Sequence, residues 1–195
     1  MSMKAFVVLA CIMTLSCARL APTVDPCFTP GGNCLATVIE EIGKAKSEIL
    51  VQAHSLSAKP VADALIKAKE AGVKVEIILD KKAHAAQNNA VYFSALNGIP
   101  THLDARHAVA DNNVIIIDNG TVIAGSFKFT KEAEDRNAEN VMIVRAAGVA
   151  GSYRENWEQH KAHAETFKTG PVAQARQEPV AEKKNINNKK KKKTN

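Results

Sequence analysis

Helix-like and strand-like patterns alternate along the first half of the chain, and this alternation constrains the fold more than any other feature. Residues 35–46 place their apolar side chains on one helical face, which predicts an amphipathic helix. Residues 48–53 and 73–79 are short apolar runs typical of buried strands. Between them, Ser57 as a cap and Pro60 in the first turn predict a helix that Gly72 ends. Helix, strand, helix and strand in this order predict an α/β sheet with crossover connections.

The second half of the chain contains further strand patterns and one strong turn signal. Two β runs joined through Asn119-Gly120 predict a hairpin. The remaining predicted elements are a helix-rich stretch at 83–96, short strands at 99–103 and 140–144, and a closing helix from 147 to about 167. At 195 residues the chain suits one domain with two tails.

The first 18 residues are predicted to be a secretory signal. A cationic start at Lys4 precedes an apolar run that is too short to span a bilayer in comfort, and small residues follow at 16–18. The protein is therefore predicted to be exported, to a periplasm or outside the cell. Lipoprotein anchoring through Cys17 is a second possibility, but Thr14 stands where such a cleavage box prefers Leu.

Removal of this signal leaves two cysteines, Cys27 and Cys34, with six residues between them. In an oxidising compartment they are predicted to form a disulfide; two free thiols are the alternative if the protein is not exported. Neither cysteine has a further Cys or His at zinc-ligand spacing. The sequence therefore predicts no metal and no cofactor.

The net positive charge of the chain comes entirely from the C-terminal tail. The formal net charge is +6, and residues 170–195 contain eight Lys or Arg and two Glu, which is 8 − 2 = +6, so the rest of the chain is neutral. A Lys-, Gln- and Asn-rich tail cannot bury enough apolar surface to fold, which predicts disorder. Such a tail can bind polyanions through counterion release, or it can serve only to keep the protein soluble.

A motif in the second half identifies a family. Asp118 is followed after six residues by Gly125-Ser126, then by Phe127-Lys-Phe-Thr130 and Arg136-Asn-Ala-Glu-Asn140. This stretch resembles the phospholipase D superfamily, in particular its small exported bacterial endonucleases with one motif per chain. The resemblance covers residues 27–163, including Cys27-Phe-Thr-Pro30, Val51-Gln-Ala53 and Asn156-Trp157. The domain is accordingly placed at residues 27–168.

The resemblance implies a mixed β-sheet flanked by helices and a homodimer in which each chain donates half of one active site. It implies a phosphodiester substrate, in nucleic acid or phospholipid. The family motif is His-x-Lys, four residues, Asp, six residues, Gly-Ser-x-Asn, with a later Glu. In that chemistry the His attacks phosphorus, a partner His protonates the leaving oxygen, and Lys and Asn hold the phosphoryl oxygens.

This chain keeps part of that motif and changes the rest. Asp118, Gly125, Ser126 and Glu139 are in register, but Asp111 replaces the His, Asn113 the Lys and Lys128 the Asn. The changes at 113 and 128 resemble an exchange that leaves one amide and one ammonium beside the phosphate. We therefore assign the catalytic positions to Asp111, Asn113 and Asp118, and phosphate binding to Ser126, Lys128 and Glu139.

The loss of the His predicts impaired hydrolysis, because a carboxylate is a poor acid at neutral pH and repels a phosphodiester. His107, the nearest histidine, lies four residues too early to replace it. The alternative function is a non-catalytic protein that binds phosphate, nucleic acid or anionic lipid. Each residue also has a simpler interpretation: Ser126 and Asp118 as turn or strand-end hydrogen bonders, Asp111 and Lys128 as surface charges. His160 and His163 are interpreted as a polar helix face, with metal ligands as the alternative, and His54 as a packing histidine.

Overall fold

The structure is a computed structural model that describes residues 21–82 and 98–167. Within these residues eight strands form one sheet, and helices cover both of its faces. The strands are β1 (Thr23–Thr29), β2 (Glu48–Ala53), β3 (Lys74–Asp80), β4 (Thr101–Asp104), β5 (Asn113–Ile117), β6 (Thr121–Gly125), β7 (Glu139–Arg145) and β8 (Glu165–Thr166). The helices are α1 (Cys34–Gly43), α2 (Lys59–Glu70), α3 (Lys131–Asp135) and α4 (Ala147–Lys161). The predicted signal segment, the helix-rich stretch at 83–96 and the basic tail lie outside the described residues.

The sheet is mixed, as the resemblance implied. Its strand order is β1-β7-β6-β5-β2-β3-β4-β8. Strands β2, β3 and β4 run parallel to one another, and the other pairs are antiparallel. Helix α2 is the crossover between β2 and β3, which confirms the predicted α/β arrangement.

Two hydrophobic cores flank the sheet. Residues such as Val51 and Ile115 face α1 and α2, while Leu50 and Ile116 face α4 and its buried Trp157. The central strands are thus buried on both faces, which explains why their sequences are continuous apolar runs. No helix in the described part of the chain is both long enough and apolar enough to cross a membrane.

The β5–β6 hairpin forms where it was predicted, but its turn is displaced by one residue. Asp118 and Asn119 have φ angles of 51° and 50°, and Gly120 N–H donates to the Ile117 carbonyl at 3.0 Å. A turn with two positive-φ central residues matches the right-handed twist of the flanking strands. Asp and Asn tolerate this conformation because their short polar side chains bond locally.

Three further features of the fold differ from what the sequence predicted. Ala58, not Ser57, is the N-cap of α2, and no side chain caps that end. The closing helix α4 ends at Lys161, well before residue 167, because the chain turns to form β8 against β4. Strand β1 was not predicted. It contains Pro26, which an edge strand accommodates because only one side of the strand needs hydrogen bonds.

The predicted disulfide between Cys27 and Cys34 is present. It ties the edge strand β1 to the first residue of α1. The loop between the cysteines requires Gly32, since a Cβ atom there would lie 2.1 Å from the Phe28 carbonyl oxygen. The disulfide thus adds a covalent attachment between α1 and an edge strand that pairs with β7 along its whole length.

Candidate functional site

The motif residues other than Asp118 gather at one edge of the sheet, the edge that is formed by strand ends. The carboxyl ends of the parallel strands β2, β3 and β4 meet this edge, and β5 begins here because it runs antiparallel to β2. Asn113 pairs with Ala53, and His54 N–H donates to the Asn112 carbonyl at 2.9 Å. The carboxyl edge of such a sheet is where ligands commonly bind in open α/β folds.

Asn113 is buried at this edge with unmet hydrogen-bonding capacity. Its Nδ2 makes one long contact, 3.4 Å, to the Asp111 carbonyl, and its Oδ1 has no partner among the described residues. A buried polar atom without a partner costs about 1–3 kcal/mol. Such an atom identifies a place where a ligand or water belongs.

Lys128 and Asp111 form an ion pair with 3.2 Å between Nζ and Oδ1. Both side chains are partly exposed. Lys128 stands between Phe127 and Phe129, which are buried with their rings edge to face at 6.0 Å. The Phe129 carbonyl accepts from Ala58 N–H at 2.9 Å, so this loop is attached to the start of α2. The two buried rings hold the backbone while the lysine projects outward.

Gly125 ends β6, and the next residue, Ser126, is hydrogen-bonded to Asn140 near the start of β7. The Ser126 hydroxyl accepts from the backbone N–H of Asn140 at 3.1 Å and from its Nδ2 at 3.4 Å. A Cβ atom at Gly125 would lie 2.1 Å from the Asn140 carbonyl oxygen, so only glycine fits. Sequence reasoning missed Asn140, although it directly follows the predicted Glu139.

Glu139 begins β7 opposite Thr29 of β1. Its backbone N–H donates to Thr29 Oγ1 at 3.2 Å, and its Oε1 accepts from Asn137 Nδ2 at 3.2 Å. Because Asn140 contacts Ser126, Glu139 lies at the same edge as the other motif residues. The side-chain amide of Asn137 orients the Glu139 carboxylate there.

Asp118 lies at the opposite end of β5. It is five residue steps along the strand from Asn113, which is about 17 Å at the usual rise. Its carboxylate accepts the backbone N–H groups of Lys46, Ser47 and Glu48 and the Ser47 hydroxyl, all at 2.8–2.9 Å. Burial raises the pKa of Asp118, but the hydrogen bonds from Ser47 and Lys46 outweigh it and lower the pKa. The structure thus brings Asp111, Asn113, Ser126, Lys128 and Glu139 to one edge and leaves Asp118 at the other.

The comparisons with known proteins agree with this architecture. The sequence model of the family described as "Cardiolipin synthase, PLD-like domain" matches residues 38–161. The phospholipase D of Rickettsia typhi is 39% identical over 139 residues, which is 71% of this chain and 68% of that protein. The chain belongs to the phospholipase D superfamily.

Other members of the phospholipase D superfamily support the same placement. The phospholipase D of Rickettsia conorii is 40% identical over 71% of this chain and 70% of its own length. The crystal structure of Nuc from Salmonella typhimurium, a phospholipase D family member, superimposes with a TM-score of 0.73 at 31% identity. The superposition covers 76% of this chain and all of Nuc. The family and the mixed sheet that the resemblance implied are therefore confirmed.

His107, the histidine nearest to Asp111 along the sequence, contacts a carboxylate outside the motif. His107 Nδ1 lies 3.4 Å from Asp104 Oδ2, at the end of β4. It is thus engaged by a different carboxylate and does not occupy the position of Asp111.

Proposed function

We propose that this chain binds a phosphodiester in a half-site of the phospholipase D type, and that hydrolysis in this site is impaired. The observation that carries the proposal is the ion pair between Lys128 and Asp111. A cation suited to phosphate is paired with a carboxylate at the position where the family motif has its attacking His. Binding groups remain, and the attacking group does not.

Three polar groups can bind the phosphoryl oxygens. The Lys128 ammonium is partly exposed, so an anion can reach it in competition with Asp111. The Ser126 oxygen accepts two hydrogen bonds from Asn140, so its own hydrogen points elsewhere and can be donated. Asn113 has an unpartnered Oδ1, and rotation of its amide by half a turn would present Nδ2 as a donor instead.

Hydrolysis needs a nucleophile and a proton donor, and Asp111 supplies neither well. An ionised Asp only accepts hydrogen bonds, so it offers no proton to the leaving oxygen. Its negative charge repels the phosphodiester and also competes with it for Lys128. We therefore expect weak binding and slow or absent turnover.

Two chains are proposed to complete the site. One chain supplies one motif, and a homodimer with a two-fold axis would place two half-sites face to face in an isologous contact. The ligand is a phosphodiester, the group shared by nucleic acids and phospholipids. We further propose that the protein acts after export, with the basic tail of residues 170–195 adding sequence-independent attraction to polyanions.

Restoring the motif tests this proposal. The wild-type chain, Asp111→His, and the triple variant Asp111→His, Asn113→Lys, Lys128→Asn are assayed on plasmid DNA and on phosphatidylcholine vesicles, with and without chelator. We expect Asp111→His alone to give measurable cleavage of one substrate. The triple variant should be faster, because one correctly placed donor to the transition state commonly changes the rate by about 10²–10³.

The matched control is Asp63→Asn, which changes an Asp in an exposed pair with Lys59 on α2. This variant should behave as wild type. Wild-type activity equal to that of the triple variant would overturn the proposal and identify Asp111 or another residue as a competent nucleophile. A folded but inactive triple variant would show that the phosphate pocket itself has been lost.

A further inference from the structure

Four potential metal ligands meet at the carboxyl end of β4, which is three positions away from β5 in the sheet, and they lie outside the motif. Asp104 ends β4 and His107 follows in the next loop. His160 lies in the last turn of α4, and His163 lies two residues after the end of that helix. One ligand atom from each residue can be chosen so that all four lie within 4.8 Å of one another. These residues, the Asp104–His163 cluster, have no role in the proposed phosphodiester site.

The distances within the Asp104–His163 cluster suit a tetrahedral ion. Asp104 Oδ2 lies 2.7 Å from His160 Nδ1, 3.2 Å from His163 Nε2 and 3.4 Å from His107 Nδ1. The three imidazole rings form a nearly equilateral triangle, with centroids 5.0, 5.4 and 5.5 Å apart. Around Zn²⁺ with bonds of about 2.0–2.1 Å, tetrahedral ligand atoms lie about 3.3–3.4 Å apart. The three distances to Asp104 are close to this value, and side-chain rotation would have to bring the imidazole nitrogens, now within 4.8 Å of one another, to the same spacing.

The carboxylate of Asp104 is the buried centre of the cluster. Its side chain is 0% exposed, and its Oδ1 already accepts the Arg106 backbone N–H at 2.9 Å. Burial raises the pKa of Asp104, but hydrogen bonds from His160, the Arg106 backbone and His163 outweigh it and lower the pKa to about 2. A buried anion surrounded by three imidazoles is an oxygen and nitrogen donor set of the kind that Zn²⁺ and its neighbours prefer.

We propose that Asp104, His107, His160 and His163 bind one divalent transition-metal ion of the Zn²⁺ class. Four protein ligands close a tetrahedral shell, which is typical of a structural site and leaves no position for substrate. The ion would join the loop after β4 to the end of α4. This inference is independent of the proposed phosphodiester function.

The loop that the ion would hold is the one that leads to the motif. Residues 105–112 run from Asp104 to the start of β5, and Ala110 N–H donates to the buried Asp80 carboxylate at 2.8 Å. The metal would add a second attachment ahead of Asp111. Arg106 Nη1 lies 3.5 Å from His163 Nδ1 and must move, because a His bound through Nε2 carries a proton on Nδ1.

Direct metal titration tests the site. The full chain, without a histidine tag and stripped by chelator, is titrated with Zn²⁺ in competition with a chromogenic chelator, and separately with Co²⁺. We expect one ion per chain and the visible absorption of tetrahedral Co²⁺. His107→Gln and His163→Gln should each weaken Zn²⁺ binding by at least about 100-fold, since a ligand is lost. Arg106→Ala should tighten it.

His54→Gln is the matched control, because it removes one histidine from outside the cluster and should leave Zn²⁺ affinity unchanged. His107 is nearly half exposed, so its replacement keeps the test valid if variants at the more buried residues fail to fold. The proposal is overturned if no stoichiometric binding occurs. It is equally overturned if His107→Gln and His54→Gln bind Zn²⁺ alike in folded protein.

Discussion

The Nζ atom of Lys128 lies 3.2 Å from the Oδ1 atom of Asp111, so two substituted motif positions neutralise each other across the site. Each residue alone would disturb a phosphodiester site: a carboxylate repels the ligand and an unpaired lysine binds any anion. As a pair they leave a weakly charged pocket whose cation becomes available only when the carboxylate is displaced. The predictions for this site follow from that competition.

Removing the charge of Asp111 and removing that of Lys128 should change phosphodiester affinity in opposite directions. Asp111→Asn should tighten binding of a short fluorescent oligonucleotide by about 3–10-fold, and Lys128→Ala should weaken it similarly, since one partly exposed charge contact is worth about 1 kcal/mol. Fluorescence anisotropy measures both, and all variants share the same tail. Lys131→Ala, an exposed lysine paired with Asp135, is the control. An equal loss in Lys131→Ala would show that binding is not specific to the site.

Mixing experiments should reveal a shared active site. Suppose that two chains form one site and that Asp111→His restores cleavage. When this variant is mixed and refolded with wild type, the activity should be proportional to the square of the variant's fraction. At equal amounts only about one quarter of dimers contain two variant chains. A linear dependence, or a sedimentation mass of one chain at micromolar concentration, would contradict the proposed homodimer.

Asp118 should contribute to stability rather than to turnover, and its contribution should depend on pH. Its folded pKa is lowered, so the stabilisation is complete above the unfolded pKa of about 3.9 and is lost as the pH falls through the folded pKa. Asp118→Asn keeps the positive-φ tolerance and should cost about 1–2 kcal/mol at pH 7, as loss of a carboxylate cap does. Urea unfolding should show the difference shrinking below about pH 3.9. Asp63→Asn should show no such difference.

The disulfide should stabilise the edge of the sheet. Replacing Cys27 and Cys34 together by Ser should lower the free energy of unfolding by about 2–3 kcal/mol, because a short closed loop no longer restricts the unfolded chain. Intact-mass analysis after alkylation without reductant measures the bond itself. Alkylation of Cys27 and Cys34 in the purified protein, mapped by peptide, would contradict the prediction.

Sequence patterns predicted the central strands well and the edges poorly. Strand β2 has the predicted bounds because burial on both faces leaves a continuous apolar run. Strand β1 carries no such signal: it contains Pro26, exposes Val24 and Phe28, and is a strand only because β7 pairs with it. The two-residue β8 likewise exists only through its pairing with β4.

The site was predictable where spacing along the motif determined it. The motif spacing predicted Asn113, Ser126 and Glu139, which the β5–β6–β7 meander brings to one edge. The Asp104–His163 cluster was not predicted, because Asp104 and His160 are 56 residues apart and meet only when α4 covers β4. The signal available was the spacing of three in each pair, Asp104 with His107 and His160 with His163, which places two donors on one side of a helix or turn.

The motif residues that this chain keeps are also the ones that folding requires. Gly125 has no room for a Cβ atom against Asn140, and Ser126 accepts two hydrogen bonds from that residue. Asp118 accepts four hydrogen bonds from residues 46–48, where the chain enters β2. The altered positions, 111, 113 and 128, have no comparable structural duty. Purifying selection for a stable fold would thus preserve half of the motif in a lineage that had abandoned catalysis. Among relatives of this chain, a retained Gly-Ser pair would report foldability, and the residues at positions 111, 113 and 128 would report chemistry.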